Sequence, residues 1–302
     1  MELRNLRALV EVVRRDGFSA AARTLHATQP TISKSIRQLE DELGATLLER
    51  LGHGVRLTPA GEIVYRRALS MLAERDSMRG ELDELRGLRR GELRLGLPPL
   101  GSNTLFAPLF ARYRRRYPDI DIRLMEHGSQ ALEDHLLAGE IELAGSLLPV
   151  PEAFDWQPVR REPLMVLLPP GHPAGRRRKV SLADLRETPF ILFEEGFALN
   201  RRILDGCQRS GFQPIEAARS GQTDFIVALV AAGQGLALLP RMIAEQRRHP
   251  EVQYVLLDEP DIDWHMALVW RRGGFLSHAA QAWLALAREA GPEARDDAPA
   301  AT

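Results

Sequence analysis

The hydrophobic period of the chain changes once, close to residue 91, and this constrains its architecture more than any other feature. Before that point apolar residues recur at helical spacing; beyond it, short strand-like runs alternate with helical stretches. At 302 residues the chain is about twice the usual domain size, so the change marks a domain boundary. Hydrophobic residues make up 44%, which excludes a disordered chain. No apolar run approaches the roughly 18 residues of a membrane span. Glu11, Arg14, Arg15 and Asp16 interrupt any signal-peptide core near the start. A soluble, cytoplasmic protein with no membrane association is expected.

In the first ninety residues, Leu3, Leu6, Leu9, Val10 and Val13 predict an amphipathic helix. Gly17 breaks it; Ser19 is the expected N-cap of a short helix over Ala20–Leu25, with Phe18 as the apolar residue before the cap. After the turn His26-Ala27-Thr28, a third helix runs over Gln29–Leu43, and Gly44 ends it. Leu47–Arg50 and Val55–Leu57 read as a hairpin about the turn Leu51–Gly54. Thr58-Pro59 then opens a helix with no breaker until Gly80 or Gly87. Its apolar positions Ile63, Val64, Ala68, Leu69, Leu72, Met78, Leu82, Leu85 and Leu88 suit a dimer seam, although Arg75 and Arg79 interrupt it. Arg86–Gly91 reads as a hinge.

Two helices joined by a short turn, the second of them polar, have helix-turn-helix geometry. On the second, Ile32, Ile36, Leu39 and Leu43 form the stripe expected to face the core. Gln29, Ser33 and Arg37 share one row, and Pro30 and Lys34 another, with Thr31 beside them. Gln pairs with adenine, and Lys and Arg reach guanine or phosphate, so this face suits a major groove. Arg50, His53 and Arg56 flank the hairpin turn, where a wing would meet the phosphate backbone. A plain solvated helix face and surface hairpin remain the alternatives. Charge does not choose between them: residues 1–91 carry +3 and the remainder −4, for a net −1.

Beyond Glu92, strands are expected at Leu93–Leu97, Ile120–Glu126, Leu143–Leu147, Leu164–Leu168, Phe190–Phe193, Ala217–Ser220, Leu236–Leu239, Tyr254–Leu257 and Met266–Trp270. Helices between them, such as Thr104–Tyr117 and Leu199–Gly211, give an α/β pattern with largely parallel sheets. Ligands in such folds sit beyond the carboxyl ends of strands, where helix N-termini offer N–H groups. Small polar residues mark four such junctions, at Pro98–Thr104, Gly128–Gln130, Glu194–Asn200 and Gly221–Asp224. Plain helix capping explains the same residue types equally well.

The ordered strings Phe18-Ser19-Ala20-Ala21-Ala22-Arg23, Leu25-His26-Ala27-Thr28-Gln29-Pro30-Thr31-Ile32-Ser33, Leu39-Glu40-Asp41-Glu42-Leu43-Gly44, Leu47-Leu48-Glu49-Arg50 and Leu57-Thr58-Pro59-Ala60-Gly61 resemble the LysR-type transcriptional regulators. The resemblance implies an N-terminal winged helix-turn-helix over 1–58, a linker and dimerisation helix with hinge over 59–91, and a periplasmic-binding-protein-like α/β effector domain over 92–290. That domain would have one lobe of 92–161 and 268–290 and a second of 162–267, with crossovers near Arg160–Leu164 and Trp264–Leu268, and a disordered tail over 291–302. Implied partners are double-stranded promoter DNA, a small-molecule effector, a second copy through the linker helix within a homotetramer, and RNA polymerase at the promoter. Ser102, Asn103, Ser129, Phe197 and Thr223 match positions that line the effector cleft of this family. Gly96-Leu97-Pro98-Pro99 and Ile191–Leu199 resemble a branch that includes regulators of holin-like genes and overflow acid metabolism. That branch suggests a small organic acid as effector, although Glu194 and Glu195 oppose an anion if they face the cleft.

Other chemistry finds no motif. Gly233-Gln234-Gly235 lacks the third glycine and the following helix of a dinucleotide site. No phosphate-binding loop, zinc-protease motif or nucleophile elbow occurs, so no catalytic residue, metal or cofactor is expected. His127 and His135 have no nearby thiol for a metal site. Cys207, the single cysteine, excludes an internal disulfide and lies at the helical spacing of a buried residue. Arg176–Lys179 reads as a solvated loop, and Arg114–Arg116 as a solvated helix face. A solute-binding protein would not need residues 1–58, and an enzyme would need a motif that is missing.

Overall fold

The computed structural model describes residues 1–50, 54–85, 91–259 and 261–290. Two units divide the chain, Met1–Leu88 with Leu137–Glu140, and Arg89–Leu136 with Ile141–Thr302. The expected hinge (apart from Gly91), the 291–302 tail, His53 and the first three residues of the hairpin turn lie outside the described residues.

The first unit contains α1 (Leu3–Arg14), α2 (Phe18–Thr24), α3 (Gln29–Leu43), β1 (Leu48–Arg50), β2 (Val55–Leu57) and α4 (Pro59–Leu85). Leu6, Leu9 and Val12 of α1 pack with Ala21, Ala22, Ile32, Ile36, Leu39 and Leu47. Ser19 is not the cap of α2. Asp16 turns the chain at φ 50°, and the first helical bond runs from Ala21 N–H to the carbonyl of Gly17 at 3.1 Å, which leaves Ser19 inside the helix. Thr28 caps α3 by accepting from Thr31 N–H, and Gly44 ends it at φ 65°, a conformation that costs glycine little. The apolar stripe of α3 stops at Leu39, since Leu43 is 41% exposed. The Glu40 carboxylate accepts from Leu47 N–H at 2.8 Å, and Leu47 fills the core in place of Leu43. β1 and β2 pair antiparallel. Thr58 Oγ1 accepts from Gly61 N–H at 2.9 Å and donates to the Thr46 carbonyl at 2.7 Å, which fixes the start of α4. On α4, Ala68, Leu69 and Leu72 are buried, whereas Ile63, Met71, Met78 and Leu82 are exposed.

The second unit follows as β3 (Glu92–Leu97), α5 (Ser102–Arg116), β4 (Asp121–Glu126), α6 (Ser129–Leu137), β5 (Leu143–Leu147) and β6 (Phe154–Leu168). It continues through β7 (Lys179–Val180), β8 (Phe190–Leu192), α7 (Ala198–Arg209), β9 (Glu216–Arg219) and α8 (Thr223–Ala231). Last come β10 (Ala237–Pro240), α9 (Arg241–Gln246), β11 (Gln253–Leu257), β12 (Asp263–Arg271) and α10 (His278–Glu289). The main sheet has the order β4-β3-β5-β12-β6-β11-β7, with β10 also on β6.

Its sense is mixed, not largely parallel. β3 runs parallel to β4 and β5, but β12 is antiparallel to β5 and β6, and β6 is antiparallel to β10 and β11. The reason is that β6 and β12 carry the chain between lobes in opposite directions. Along β6, Pro163 is the last partner on β12 and Leu164 the first on β10, which puts one crossover at residues 163–164. β12 pairs with β6 from Asp263 onward and with β5 from Met266 onward. Trp264, fully buried, packs there against Gly101, where an added Cβ would lie 2.7 Å from the indole. Tyr113 donates to the Ala279 carbonyl at 2.8 Å and packs beside Trp283 in the same core.

Candidate nucleic-acid interface and ligand cleft

Burial of Ile32, Ile36 and Leu39 fixes which side of α3 is outward. Gln29, Pro30, Thr31, Lys34 and Arg37 are exposed, and Ser33 is half-buried beside them. The Thr31 hydroxyl lies 2.8 Å from that of Thr28 and is engaged in the cap. Gln29, Ser33, Lys34 and Arg37 have no side-chain partner among the described residues, so two cations and two hydrogen-bonding groups stand free. On the hairpin, Arg56 is exposed, but its Nε and Nη2 donate to Glu49 across the strand pair at 3.0 and 2.5 Å. That carboxylate cancels part of the charge expected of Arg56. Of Arg50 only the backbone, at the end of β1, is described, and His53 lies outside the described residues.

In the second unit, loops at the carboxyl ends of β3, β4 and β8 enclose a cavity of about 380 Å³. Pro99, Glu126, His127, Gly128 and Ala131 line it from the first lobe, with Glu194, Glu195, Gly196, Phe197 and Gly221 opposite. The lobes approach closely: a Cβ on Gly128 would lie 2.7 Å from the Gly196 carbonyl oxygen. Phe197 stacks on buried Phe193 with ring centroids 5.1 Å apart. Of the five expected effector residues, Phe197 alone is among those lining this cavity. Ser102, Asn103, Ser129 and Thr223 stand at the first turns of α5, α6 and α8. The Ser102 hydroxyl donates to the Pro98 carbonyl, Ser129 is buried and Asn103 exposed. Their glycine and proline neighbours make the wall instead.

Glu194, Glu195 and Glu126 are among the residues at the rim of this cavity; all three are exposed, and Glu195 lies 3.9 Å from Arg219. Three glutamates and one histidine are the titratable residues of this lining. Sequence reasoning missed Glu126, although it ends a strand and the strand-end rule that selected its neighbours applies to it.

A second cavity, about 250 Å³, is lined by Glu133, Leu147, Leu148, Pro149, Ala198, Arg201, Arg202, Asp205, Arg209 and Asp261. Arg202 is tied to the carbonyls of Leu148 and Asp261 at 2.8 and 3.0 Å and to Asp263 at 3.1 Å. Arg201 donates to Gln130 at 3.2 Å. Burial pushes the Glu133 carboxyl above its ordinary pKa, and the Ser146 hydroxyl, donating at 3.1 Å, partly opposes this. Among the described residues no group of three His, Cys, Asp or Glu side chains is placed to hold a metal ion. His127 and His135 stack at 5.7 Å.

Residues 3–62 match the bacterial regulatory helix-turn-helix protein family of lysR type, and residues 86–292 match the LysR substrate binding domain. The chain is similar to the uncharacterized HTH-type transcriptional regulator YwbI of Bacillus subtilis, with 35% identity over 94% of this chain and 95% of that one. It is also similar to the transcriptional dual regulator GltC of the same organism, 34% identical over 80% of this chain and 81% of that one. Among solved structures, a full-length OxyR variant from Pseudomonas aeruginosa superposes with a TM-score of 0.67 at 27% identity, covering 95% of both chains.

Proposed function

Because the chain belongs to the LysR family of DNA-binding transcriptional regulators, we propose that α3 reads promoter DNA and that the cavity between the lobes receives the effector that controls it. Gln29, Ser33, Lys34 and Arg37 contact bases or flanking phosphates, with Pro30 and Thr31 at the helix entry. Arg50, His53 and Arg56 meet the backbone through the wing. The observation that carries this reading is the free polar row on α3, held outward by Ile32, Ile36 and Leu39. Free cations and hydrogen-bonding groups gathered on one outward face are the groups that base edges and phosphates in a major groove accept.

The α4 residues Ile63, Met71, Met78 and Leu82 are exposed apolar surface that suits a dimer seam. A homotetramer is the assembly expected of this family; Leu124, Ile215 and Phe225 are further exposed apolar residues on the effector domain. Effector binding closes the lobes and shifts the population of DNA-reader arrangements, with RNA polymerase as a further partner at the promoter. The protein acts by binding, without a reaction of its own, in the cytoplasm. No helix among the described residues is long and apolar enough to cross a membrane, which is consistent with that place.

The test is a genomic DNA pull-down followed by fluorescence anisotropy on the enriched duplex and a scrambled control, at two salt concentrations. Tight, salt-sensitive binding to the enriched duplex alone is expected. Arg37→Ala should weaken it by about 1–3 kcal/mol if Arg37 pairs with a base. Equal weak binding to both duplexes would overturn the reading.

A further inference from the structure

The two strands of the wing divide their side chains by alternation. Leu48 lies opposite Leu57 and Arg50 opposite Val55, and Leu48, Val55 and Leu57 pack on the core of the first unit. The remaining cross-strand pair, Glu49 with Arg56, is turned to the other face. Both side chains are exposed, at 46% and 67%. A single carboxylate oxygen, Glu49 Oε2, accepts from both Nε and Nη2 of Arg56, at 3.0 and 2.5 Å. Water screens an exposed pair of this kind, so it adds little to the stability of the hairpin. Other groups place the hairpin: Asp16 accepts from Val55 N–H at 2.9 Å and Glu40 from Leu47 N–H at 2.8 Å. The pair acts more strongly on what Arg56 can bind. A phosphate is recognised by the same guanidinium N–H groups that Glu49 occupies. It must displace Glu49, or share the guanidinium with a carboxylate of its own sign. Every base pair offers the same phosphates, so this opposition is independent of sequence.

Resting on the DNA-reading assignment above, we propose that Glu49 competes with the DNA backbone for Arg56. It occupies the guanidinium in the free protein, gives it up when a phosphate takes its place, and so lowers the affinity of the wing for any duplex. A larger share of the binding then falls to α3, which reads sequence, and a smaller share to the wing, which does not.

The test is fluorescence anisotropy of the full chain on the duplex enriched by the genomic pull-down and on its scrambled control, over a series of salt concentrations. Glu49→Gln keeps the size of the side chain and removes its charge. It should tighten binding about 2- to 5-fold on both duplexes, the range of one exposed ion pair converted to affinity. It should also steepen the logarithmic salt dependence by about 0.9 for each phosphate gained. The gain should need its partner: in an Arg56→Ala background, Glu49→Gln should leave affinity nearly unchanged. Glu49→Ala should act in the same direction as Glu49→Gln, and amide exchange over residues 1–85 checks that each variant folds. Glu152→Gln, on an exposed loop of the effector domain, removes the same charge and should change nothing. Unchanged or weaker binding in folded Glu49 variants overturns the proposal. So does a gain on one duplex only, an equal gain with and without Arg56, or an equal gain from Glu152→Gln. If wild-type protein binds the enriched duplex specifically while the variants fail these expectations, only the role of Glu49 falls; if wild-type protein lacks specific binding, the regulator reading falls with it.

Discussion

Asp16 closes the first unit in a way that three substitutions can dissect. Its Oδ1 accepts from Val55 N–H at 2.9 Å, tying the turn between α1 and α2 to the first residue of β2. Its backbone sits at φ 50°, in the left-handed region. A hydrogen bond to a carboxylate contributes about 1.5–3 kcal/mol net, and exposure of Asp16 argues for the lower end, about 1.5 kcal/mol. Alanine also incurs the left-handed penalty, roughly 1 kcal/mol beyond what aspartate or asparagine incurs. Asp16→Ala should therefore cost about 2.5 kcal/mol and Asp16→Gly about 1.5 kcal/mol, because glycine loses the bond but not the conformation. Asp16→Asn keeps an acceptor and tolerates the turn, and should cost about 0.5 kcal/mol. Trp156, Trp264, Trp270 and Trp283 all lie in the second unit, so indole fluorescence is blind to this change. The assay is urea-dependent amide exchange over residues 1–85 of the full chain. Equal losses for alanine and glycine would remove the conformational argument. Three variants as stable as wild type would remove the wing tether altogether.

Other outcomes follow from groups placed elsewhere. Leu39→Ala, at a side chain with no exposed surface, should destabilise the first unit by about 2–5 kcal/mol in the same exchange assay. His172 has its pKa lowered by burial, and its Nδ1 accepts from Ala174 N–H at 3.2 Å, which requires the neutral ring. The unfolded chain therefore takes up this proton first; stability is complete above about pH 6.5 and declines as pH falls below it. Thermal unfolding at pH 7.5 and 5.5 should show a smaller loss in His172→Gln, and an equal loss would refute the assignment. Burial pushes the Cys207 thiol up to about 11. Its reaction with a thiol reagent at pH 8 should be slower in the native chain by about 200-fold or more on thiolate fraction alone, and a fast native reaction would show that the site opens.

The sequence was most legible where local signals and burial agree. The helical period of α1 and α3, the Thr58-Pro59 start and the Gly44 stop all coincide with observed boundaries, because each rests on interactions within one or two turns. Ser19 misled because the turn before α2 is made by backbone conformation at Asp16 and Gly17, which a capping residue type does not reveal. The first ten residues of β6, Phe154 to Pro163, contain two prolines and two arginines and have little strand character of their own. Pairing with β12 makes them a strand. The cleft was legible as a set of strand ends but not in which residues form its rim. Whether Glu194 and Glu195 reach that rim depends on the path of the loop before α7, which composition does not specify. The match of Ser102, Ser129 and Thr223 to the family's cleft positions located helix starts, while the cavity wall formed one to three residues earlier.

β6 has a mechanical consequence. One strand of 15 residues serves both lobes, bonded to β12 along its first part and to β10 and β11 along its last. Glu162, buried just before the changeover, is held by Arg160 at 2.7 Å with Arg241 of α9 at 3.9 Å. The lobes are thus joined by a stiff leaf, not by a slack cord. Opening and closing must flex that leaf, and an excursion large enough to unzip its hydrogen bonds would forfeit the sheet. Each molecule is confined to a small stroke with a restoring force. By comparison α4 is the longest described element: its 27 residues extend about 40 Å at 1.5 Å per residue, so a tilt of a few degrees at one end becomes several ångströms at the other.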